Sequence, residues 1–489
     1  MSTALLDLPR EVALETEVAI VGAGGAGLSA ALAAREAGAE VWLFERDPLP
    51  RGSTAMSSGM IPAAGTRFQK ARGIDDDPER FAADILAKNG GANAAMAHRL
   101  AGAAAATVER LVDRWGVRLE LVEGFLYPGH SRPRMHAPPS RSGEELVGAL
   151  LAACEDAGAV LVNGARVEAL FVERGRDGAI ARVAGLLVRR GKGSEAVRAR
   201  AVVLACCGFA GARDLVRRHV PEMAEAPCHG HPGNEGDALR WGEALGAALA
   251  DLDAYQGHAG LAVPHGILVT WAIVSEGGIQ VDLGGERFAD ESLGYSEQAA
   301  RLLARPGGLG WILFDTRRRA LARAFEDFRR AEALGAIREA ADRAELAALT
   351  GLPPAALART LDEVEACARG ERADRFGRDF TRHPPLAPPF CAVKVTGALF
   401  HTQGGLEVDG QGRVLRPDGT VIEGLYAAGG AARGVSGRGA AGYLSGNGLL
   451  SAIVLGRIAG KAAALSVRGG AHAGEAEAPV RPAPGRDDR

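Results

Sequence analysis

The chain has 489 residues, of which 47% are hydrophobic and 24% are charged, and its formal net charge at pH 7 is −3. This length corresponds to about three domains and allows large buried cores. The composition excludes a mostly disordered or fibrous protein, and the near-neutral charge gives no electrostatic basis for binding nucleic acid or an anionic membrane.

Cysteine usage and hydropathy narrow the class of protein further. The six cysteines, at positions 154, 206, 207, 228, 367 and 391, form no CxxC motif. We therefore expect free thiols and no zinc site, c-type haem or iron–sulfur cluster. No run approaches ~20 apolar residues, so no membrane span is expected. Residues 1–17 carry several charges and are not a signal peptide, which predicts a cytoplasmic protein.

The first predicted elements form a strand–turn–helix–strand unit. The apolar run 18–21 predicts a β-strand, the Ala-rich stretch 28–37 predicts a helix, and 41–44 predicts a second strand. Between the first strand and the helix stands the sequence GAGGAG at 22–27. This is the context in which a GxGxxG motif indicates a dinucleotide-binding fold rather than a chance glycine turn.

The residue types in this unit explain how it would hold a dinucleotide. Gly22, Gly24 and Gly27 let the backbone approach a pyrophosphate, whose negative charge then lies at the N-terminus of the helix. Glu45, directly after the second strand, stands about where an acidic side chain accepts a hydrogen bond from a ribose hydroxyl. We therefore expect these four residues at the nucleotide site.

The remaining elements alternate between helical and extended patterns. The expected order is a Gly/Ser-rich stretch at 51–65, helices over 78–115, a polar loop at 124–143, a helix over 143–157, strands near 159–173, 180–189 and 196–205, mostly helices over 297–375, a linker at 386–390, a hairpin over 414–422 and a strand-to-glycine junction at 425–429. Gly, Pro and charged residues dominate the tail 467–489, which predicts disorder.

With these segments assembled, the chain resembles the soluble fumarate reductase and 3-ketosteroid dehydrogenase family of flavoproteins. The resemblance extends from about residue 17 to residue 465. It is carried by GAGGAG at 22–27, the Ser/Gly stretch 52–59, VVLACCGF at 202–209, GGERFADE at 284–291, HTQGG at 401–405, and LYAAGG followed by GYLSGNGLLSAIVLGRIAG within 425–460.

The resemblance implies an α/β fold, in which a two-part Rossmann-like FAD-binding domain carries an inserted α+β cap (substrate) domain. The FAD-binding domain would comprise residues 1–252 and 400–466, and the cap residues 253–399. The active site would lie between the two domains.

The same resemblance implies FAD as the cofactor. Membrane-bound relatives link the flavin to a His in the region that corresponds to 51–57, where this chain has none, so we expect non-covalent FAD. In this chain Gly430 stands where relatives usually carry Glu. The residues expected to bind FAD are Gly22, Gly24, Gly27, Glu45, Ser53, Thr54, Gly59, Gly429, Asn447 and Leu449.

Catalytic candidates also follow from the resemblance. Fumarate reductases use two histidines, a proton-donating arginine and a second arginine that binds a carboxylate. His401 and His258 match the two histidines, and Arg287 matches the proton donor. The structural alternatives are a loop histidine bonded to backbone and an arginine paired with Asp290 or Glu291.

Two departures favour a ketone substrate. Tyr443 replaces the arginine that binds a carboxylate, although Arg438 is close in sequence. A phenol offers one donor, which suits a carbonyl oxygen, whereas arginine offers a fork that suits a carboxylate. The proton relay of fumarate reductases falls where Trp271 and Val274 stand, and neither carries protons. Ketosteroid dehydrogenases also use a tyrosine base, for which the candidates are Tyr127, Tyr255 and Tyr295.

We therefore predict an FAD-dependent oxidoreductase that dehydrogenates a cyclic or bulky ketone next to its carbonyl, with a separate electron carrier, a quinone or O₂ as acceptor. The alternatives are fumarate-type reduction of an α,β-unsaturated carboxylate and a flavin-binding protein without turnover. The cluster Arg132, Arg134 and His136 is either a site for an acidic substrate tail or a solvated loop.

Overall fold

The computed structural model of the chain describes residues 4–469. The tail predicted to be disordered lies outside the described residues from position 470 onward. The strands, in chain order, are β1 (Ala4–Asp7), β2 (Leu14–Val21), β3 (Val41–Phe44), β4 (Ile61–Pro62), β5 (Glu120–Leu121), β6 (Met135–Ala137), β7 (Val160–Val162), β8 (Ala165–Arg174), β9 (Ile180–Arg190), β10 (Gly193–Leu204), β11 (Leu249–Ala250), β12 (Tyr255–Ala262), β13 (Ile267–Leu268), β14 (Ile279–Asp282), β15 (Leu309–Asp315), β16 (Ile337–Ala340), β17 (Phe390–Thr402), β18 (Gly405–Leu406), β19 (Arg413–Leu415) and β20 (Val421–Ala427).

The α-helices are interleaved with these strands, and a π-helical turn (Leu450–Val454) joins the last two of them. In chain order they are α1 (Gly25–Glu36), α2 (Arg67–Lys70), α3 (Pro78–Asn89), α4 (Ala94–Asp113), α5 (Gly143–Asp156), α6 (Arg213–His219), α7 (Asp237–Leu245), α8 (Ala272–Ser275), α9 (Tyr295–Leu303), α10 (Thr316–Ala322), α11 (Glu326–Ala333), α12 (Arg343–Thr350), α13 (Pro354–Ala368), α14 (Asn447–Leu449) and α15 (Leu455–Val467).

A nine-stranded sheet forms the centre of the nucleotide-binding part. Its order is β1-β8-β9-β10-β2-β3-β7, and β20 pairs with β10 and with β19. Strands β2, β3, β7 and β20 run parallel to one another and to the end of β10, so their carboxyl ends meet at one edge of the sheet. This edge is where α/β sheets bind ligands.

Helices α1 and α15 pack closely against each other because small residues face one another across their interface. A Cβ added to Gly460 would lie 2.1 Å from the carbonyl oxygen of Ala30, and one on Gly456 would lie 2.5 Å from that of Ala26. The segment Asn447–Val467 has a mean hydropathy of 1.5 and the length of a membrane span, but 72% of its most apolar window is buried inside the protein. Core packing accounts for its apolar composition.

A second sheet lies in the segment predicted to be the cap. Its order is β13-β12-β17-β15-β14, with β16 paired to β17. The segment 297–375 is mostly helical, as predicted, but it also contains β15 and β16, which the sequence did not indicate. The sequence LGWILFD of β15 is a short continuous apolar run, and in such runs periodicity does not separate a buried strand from a buried helix.

Candidate active site

A groove crosses the carboxyl edge of the nine-stranded sheet. Gly22 and Gly24 follow β2, Glu45 follows β3, and Gly429 follows β20. All four line the groove, together with Ser53 and Thr54. The Glu45 carboxylate accepts hydrogen bonds from the backbone N–H groups of Ala23 at 2.9 Å and Asp47 at 3.0 Å. The structure thus brings six of the ten residues expected to bind FAD to this groove.

Three of the others do not line the groove and have packing or hydrogen-bonding roles instead. A Cβ on Gly27 would lie 1.9 Å from the carbonyl oxygen of Gly22, and one on Gly59 would lie 2.9 Å from that of Ser142. Asn447 is fully buried and donates a hydrogen bond to the Ser436 hydroxyl at 3.0 Å. The fourth, Leu449, lines a second cavity beside the groove.

This second cavity, which we call the tyrosine cavity, shares Ser53, Thr54, Cys207, Gly430 and Ala452 with the groove, so the two adjoin. The catalytic candidates that line it are Tyr443, His401 and His258. Its wall also includes Tyr127, Tyr295, Thr270, Trp271, Phe400, Ser445 and Gly448.

Three tyrosines converge in this cavity although they are far apart in sequence. Tyr295 lies between the other two, with ring centroids 6.1 Å from Tyr443 and 6.2 Å from Tyr127. Tyr443 and Ser445 lie close enough to Tyr295 to shift the pKa of its phenol. Thr270 acts in the same way on the pKa of Tyr127. The cavity therefore contains a connected group of phenols rather than one isolated tyrosine.

Burial keeps these phenols protonated at neutral pH. It raises the pKa of Tyr443 to about 12, although the backbone N–H of Gly448 hydrogen-bonds to the phenol oxygen and opposes the shift. It raises the pKa of Tyr127 to about 12 and that of Tyr295 well above its ordinary value. Desolvation disfavours the phenolate, so these groups are hydrogen-bond donors in the resting site.

His401 is oriented by a chain of side chains that ends at the buried Asn447. Asn447 donates to the Ser436 hydroxyl, Ser436 donates to Gln403 Oε1 at 2.7 Å, and Gln403 Nε2 donates to His401 Nδ1 at 3.0 Å. Burial lowers the pKa of His401 to about 4, so the ring is neutral. With Nδ1 accepting, the proton is assigned to Nε2.

The side chains of His401 and Tyr443 both lie beside the backbone of Gly448. The position of a Cβ on this glycine would be 2.8 Å from His401 Nε2 and 3.5 Å from the Tyr443 hydroxyl. Two donors therefore face one small space beside the backbone, an arrangement that suits an oxygen atom gaining negative charge.

Arg287 does not reach the tyrosine cavity. Its guanidinium is bound at 2.7 Å by Glu291 and at 2.5 Å by Asp374, and Arg378 adds a second cation at Glu291. Burial alone would lower the pKa of Arg287, but the hydrogen bonds that it donates to the two carboxylates, together with their negative charge, raise its pKa well above the ordinary value. A guanidinium fixed in this way is a structural ion pair, which is the alternative that the sequence left open.

His258 and Trp271 form the aromatic wall of the cavity. His258 stacks on Tyr295 with 4.6 Å between centroids and meets Trp271 edge-on at 5.6 Å. Burial lowers the pKa of His258 to about 3, and its Nδ1 accepts a hydrogen bond from the backbone N–H of Gly260. Its environment is that of a neutral packing residue.

The positions of Tyr255, a candidate base, and of the cluster at 132–136, a candidate anion site, test two further hypotheses. Tyr255 is buried and is not among the residues that line the tyrosine cavity, and burial together with the Glu222 carboxylate raises the pKa of its phenol, so it is not placed to act as a base. Arg134 is fully buried and paired with Asp76 at 3.0 Å and with Asp84 at 2.5 Å. His136 is also buried, bonded to Thr66. Arg134 and His136 are therefore buried structural residues, whereas Arg132 is exposed and donates to the backbone carbonyls of Asp75 and Ser131.

Comparisons with known proteins agree with this geometry. A family model described as "FAD binding domain" matches residues 17–449. The chain is 31% identical over 458 residues to "Fumarate reductase (cytochrome)" of Shewanella frigidimarina, covering 92% of this chain and 77% of the relative. It is 32% identical over 331 residues to 3-oxosteroid 1-dehydrogenase of Mycobacterium tuberculosis, covering 59% of this chain and 57% of that protein. The structure of 3-ketosteroid-Δ4-(5α)-dehydrogenase from Rhodococcus jostii RHA1 superposes with a TM-score of 0.74 at 27% identity, covering 94% of this chain and 100% of that one.

The chain belongs to the FAD binding domain family. It is an FAD-dependent oxidoreductase of the group that contains fumarate reductases and 3-ketosteroid dehydrogenases. The predicted family, the α/β fold class and the predicted cofactor are confirmed.

The groove of this flavoprotein fits the cofactor. Helix α1 begins without a side-chain cap from Gly24 and without an acidic residue in its first turn, so the N–H groups of that turn other than that of Gly25 are available to an anion. A Cβ on Gly24 would have no neighbour closer than Thr54 Oγ1 at 3.9 Å, which leaves open space where a pyrophosphate would lie. The backbone N–H of Gly25 donates to the same Thr54 hydroxyl at 3.1 Å and fixes the turn.

Because residues 51–57 of the flavoprotein contain no histidine, we expect FAD to be held without a covalent bond. Acid precipitation should release all the flavin into the supernatant, where its absorbance is measured. Flavin that stays with the denatured pellet would show that another side chain is linked to it.

Proposed function

We propose that this flavoprotein dehydrogenates a cyclic or bulky ketone at the carbon–carbon bond next to its carbonyl. The observation that carries the proposal is the charge of the tyrosine cavity: within residues 4–469, no Arg or Lys lines it. A carboxylate buried there would lack a cationic partner, which is costly, whereas a neutral carbonyl needs only hydrogen-bond donors. The R. jostii structure contains 4-androstene-3,17-dione, a ketone of this class.

The side chains of the tyrosine cavity would have different roles in such a reaction. Tyr443 and His401 Nε2 donate hydrogen bonds to the carbonyl oxygen, which acidifies the hydrogens on the adjacent carbon. Tyr295 is protonated at rest, so it would accept a proton from that carbon as its own hydroxyl proton passes to Tyr443 and that of Tyr443 passes to the carbonyl oxygen. FAD, when bound, supplies the two-electron oxidant. Aromatic side chains on the cavity wall exclude water from the reacting carbons.

The electron acceptor and the domain arrangement are part of the same proposal. Residues 253–399 would form the cap that covers the substrate, and β17, which crosses residue 399, carries His401 from the cap sheet to the cavity. Electrons would leave to a separate carrier, a quinone or O₂.

A second candidate is the reduction of an unsaturated carboxylate. It is favoured by the fumarate reductase relative and by the presence of both His401 and His258 in the cavity. Against it stand the uncharged lining and the position of Arg287, which is held by two carboxylates.

The two candidates are separated by mixing the purified holoenzyme with each substrate without oxygen. We expect a cyclic 3-ketone to bleach the flavin absorbance at least ~100-fold faster than fumarate re-oxidises the reduced enzyme, since a site built for one polar group strongly rejects the other. Rapid re-oxidation by fumarate together with no bleaching by any ketone would favour the second candidate.

A further inference from the structure

A third cavity adjoins the tyrosine cavity, and we call it the antechamber. Its volume is about 410 Å³, and it shares Met56, Ser57, His229 and Leu268 with the tyrosine cavity. A substrate longer than one ring system would therefore extend from the tyrosines into this space.

The antechamber contains an arginine with an unused donor. Arg141 Nη1 is buried and has no hydrogen-bond partner among residues 4–469. The guanidinium stacks 4.9 Å from the ring of Phe325, and it lies close enough to Tyr127 for its charge to lower the pKa of that phenol. An arginine keeps its charge when buried, so a donor without a partner costs free energy until a ligand accepts from it.

The other charges of the antechamber differ in exposure. Arg51 and Arg330 are exposed and form no ion pair within 4.0 Å in the described part of the chain. The acids are Glu144 and Glu326, which are exposed, and Asp327, whose pKa burial raises to about 6. The guanidinium of Arg141 therefore lies on the side of the antechamber towards Tyr127, whereas Glu144 and Glu326 lie towards solvent.

We infer that the antechamber binds an anionic group of the substrate, a carboxylate or a phosphate, through Arg141 and Arg51 while the ketone reacts at the tyrosines. This inference rests on the proposed function and specifies the substrate as an amphipathic ketone with an anionic tail. A guanidinium presents two parallel N–H groups to such an oxyanion. Of the arginines that the sequence offered for this purpose, Arg134 is held by Asp76 and Asp84, and neither Arg132 nor Arg134 lines the antechamber.

The test compares a neutral cyclic ketone with the same ketone carrying a terminal carboxylate. For the holoenzyme we measure kcat/KM on both and take their ratio, which removes any general loss of activity. Arg141→Gln and Arg51→Gln should each lower the ratio for the carboxylate by about tenfold, and Arg141→Lys should restore part of it. The control is Arg438→Gln, because Arg438 is exposed and paired with Asp253 at 3.0 Å, and it should leave the ratio unchanged.

Failure of anion binding in the antechamber and failure of ketone oxidation give different results in these measurements. An unchanged ratio in both glutamine variants overturns the inference while ketone oxidation stands. If wild type oxidises neither ketone, the proposed function fails, and calorimetric binding of the carboxylate to wild type and Arg51→Gln then decides the antechamber alone. A thioester of a phosphate-bearing carrier, tested beside the carboxylate, distinguishes the two anion sources. Should Arg141→Gln not fold, Arg51→Gln keeps the test decisive because that side chain is exposed.

Discussion

Replacing Gly24 by Val should give a folded protein that does not hold FAD. Gly24 has an extended backbone, with φ −77° and ψ −175°, which any residue adopts, and an added side chain would enter open space rather than protein. That space faces the first turn of α1, which carries no acidic side chain and where a pyrophosphate would lie. We expect FAD affinity to fall at least ~100-fold, equivalent to about 2.8 kcal/mol, and we would measure it as flavin content per mole of purified protein.

A matched glycine elsewhere controls for the substitution itself. Gly410 is exposed, and a Cβ there would also meet nothing within 4 Å, so Gly410→Val should bind flavin as wild type does. Gly27→Ala behaves differently, since its methyl would lie 1.9 Å from the carbonyl oxygen of Gly22 and would disturb folding. Full flavin content in Gly24→Val with an unchanged circular dichroism spectrum would show that the pyrophosphate lies elsewhere.

The nucleotide-binding half of the fold follows from local sequence. Strand β3 was predicted with the observed bounds, and the strand–glycine–helix order at 18–37 was correct, because each element carries its own apolar period and its own stop signal. Strand β15 was missed because its burial on both faces removes the alternation that marks a strand.

The active site was harder to predict because its members come from distant parts of the chain. Tyr295 was one of three candidate bases, and its place became clear only when folding brought α9 against the loop that carries Tyr443. Nothing in the local sequence separates it from Tyr255, which is 40 residues earlier in the chain and is buried outside the tyrosine cavity. Similarly, the partner of Arg287 includes Asp374, 87 residues away, which no local pattern indicates.

These placements change how the family signatures are interpreted in this chain. The segment GGERFADE matches the family by sequence, yet its arginine stabilises the second sheet through Glu291 and Asp374 rather than facing the cavity. The backbone carbonyl of Glu291 accepts a bond from Trp271 Nε1 at 3.3 Å, and Trp271 packs on His258. The segment therefore acts on the site by holding its aromatic wall.

Tyr443→Phe should abolish most ketone oxidation while leaving the fold intact. The substitution removes one hydroxyl from a cavity where burial has raised its pKa to about 12, so the lost group is a neutral donor and not a charge. Loss of one preorganised donor to a developing oxyanion costs ~10²–10³-fold in kcat, with a smaller change in KM. The measurement is steady-state oxidation of the cyclic ketone with an artificial electron acceptor.

The control for this prediction is Tyr255→Phe. Tyr255 is also buried and its variant also loses a phenol hydroxyl, but Tyr255 lies outside the tyrosine cavity, so the variant should keep wild-type kcat. Equal losses in both variants would mean that Tyr443 acts through stability alone. The ketone function would be contradicted if the wild-type enzyme reduced fumarate well and Tyr443→Phe reduced it at the same rate. The carboxylate would then be bound without the phenol that distinguishes this cavity.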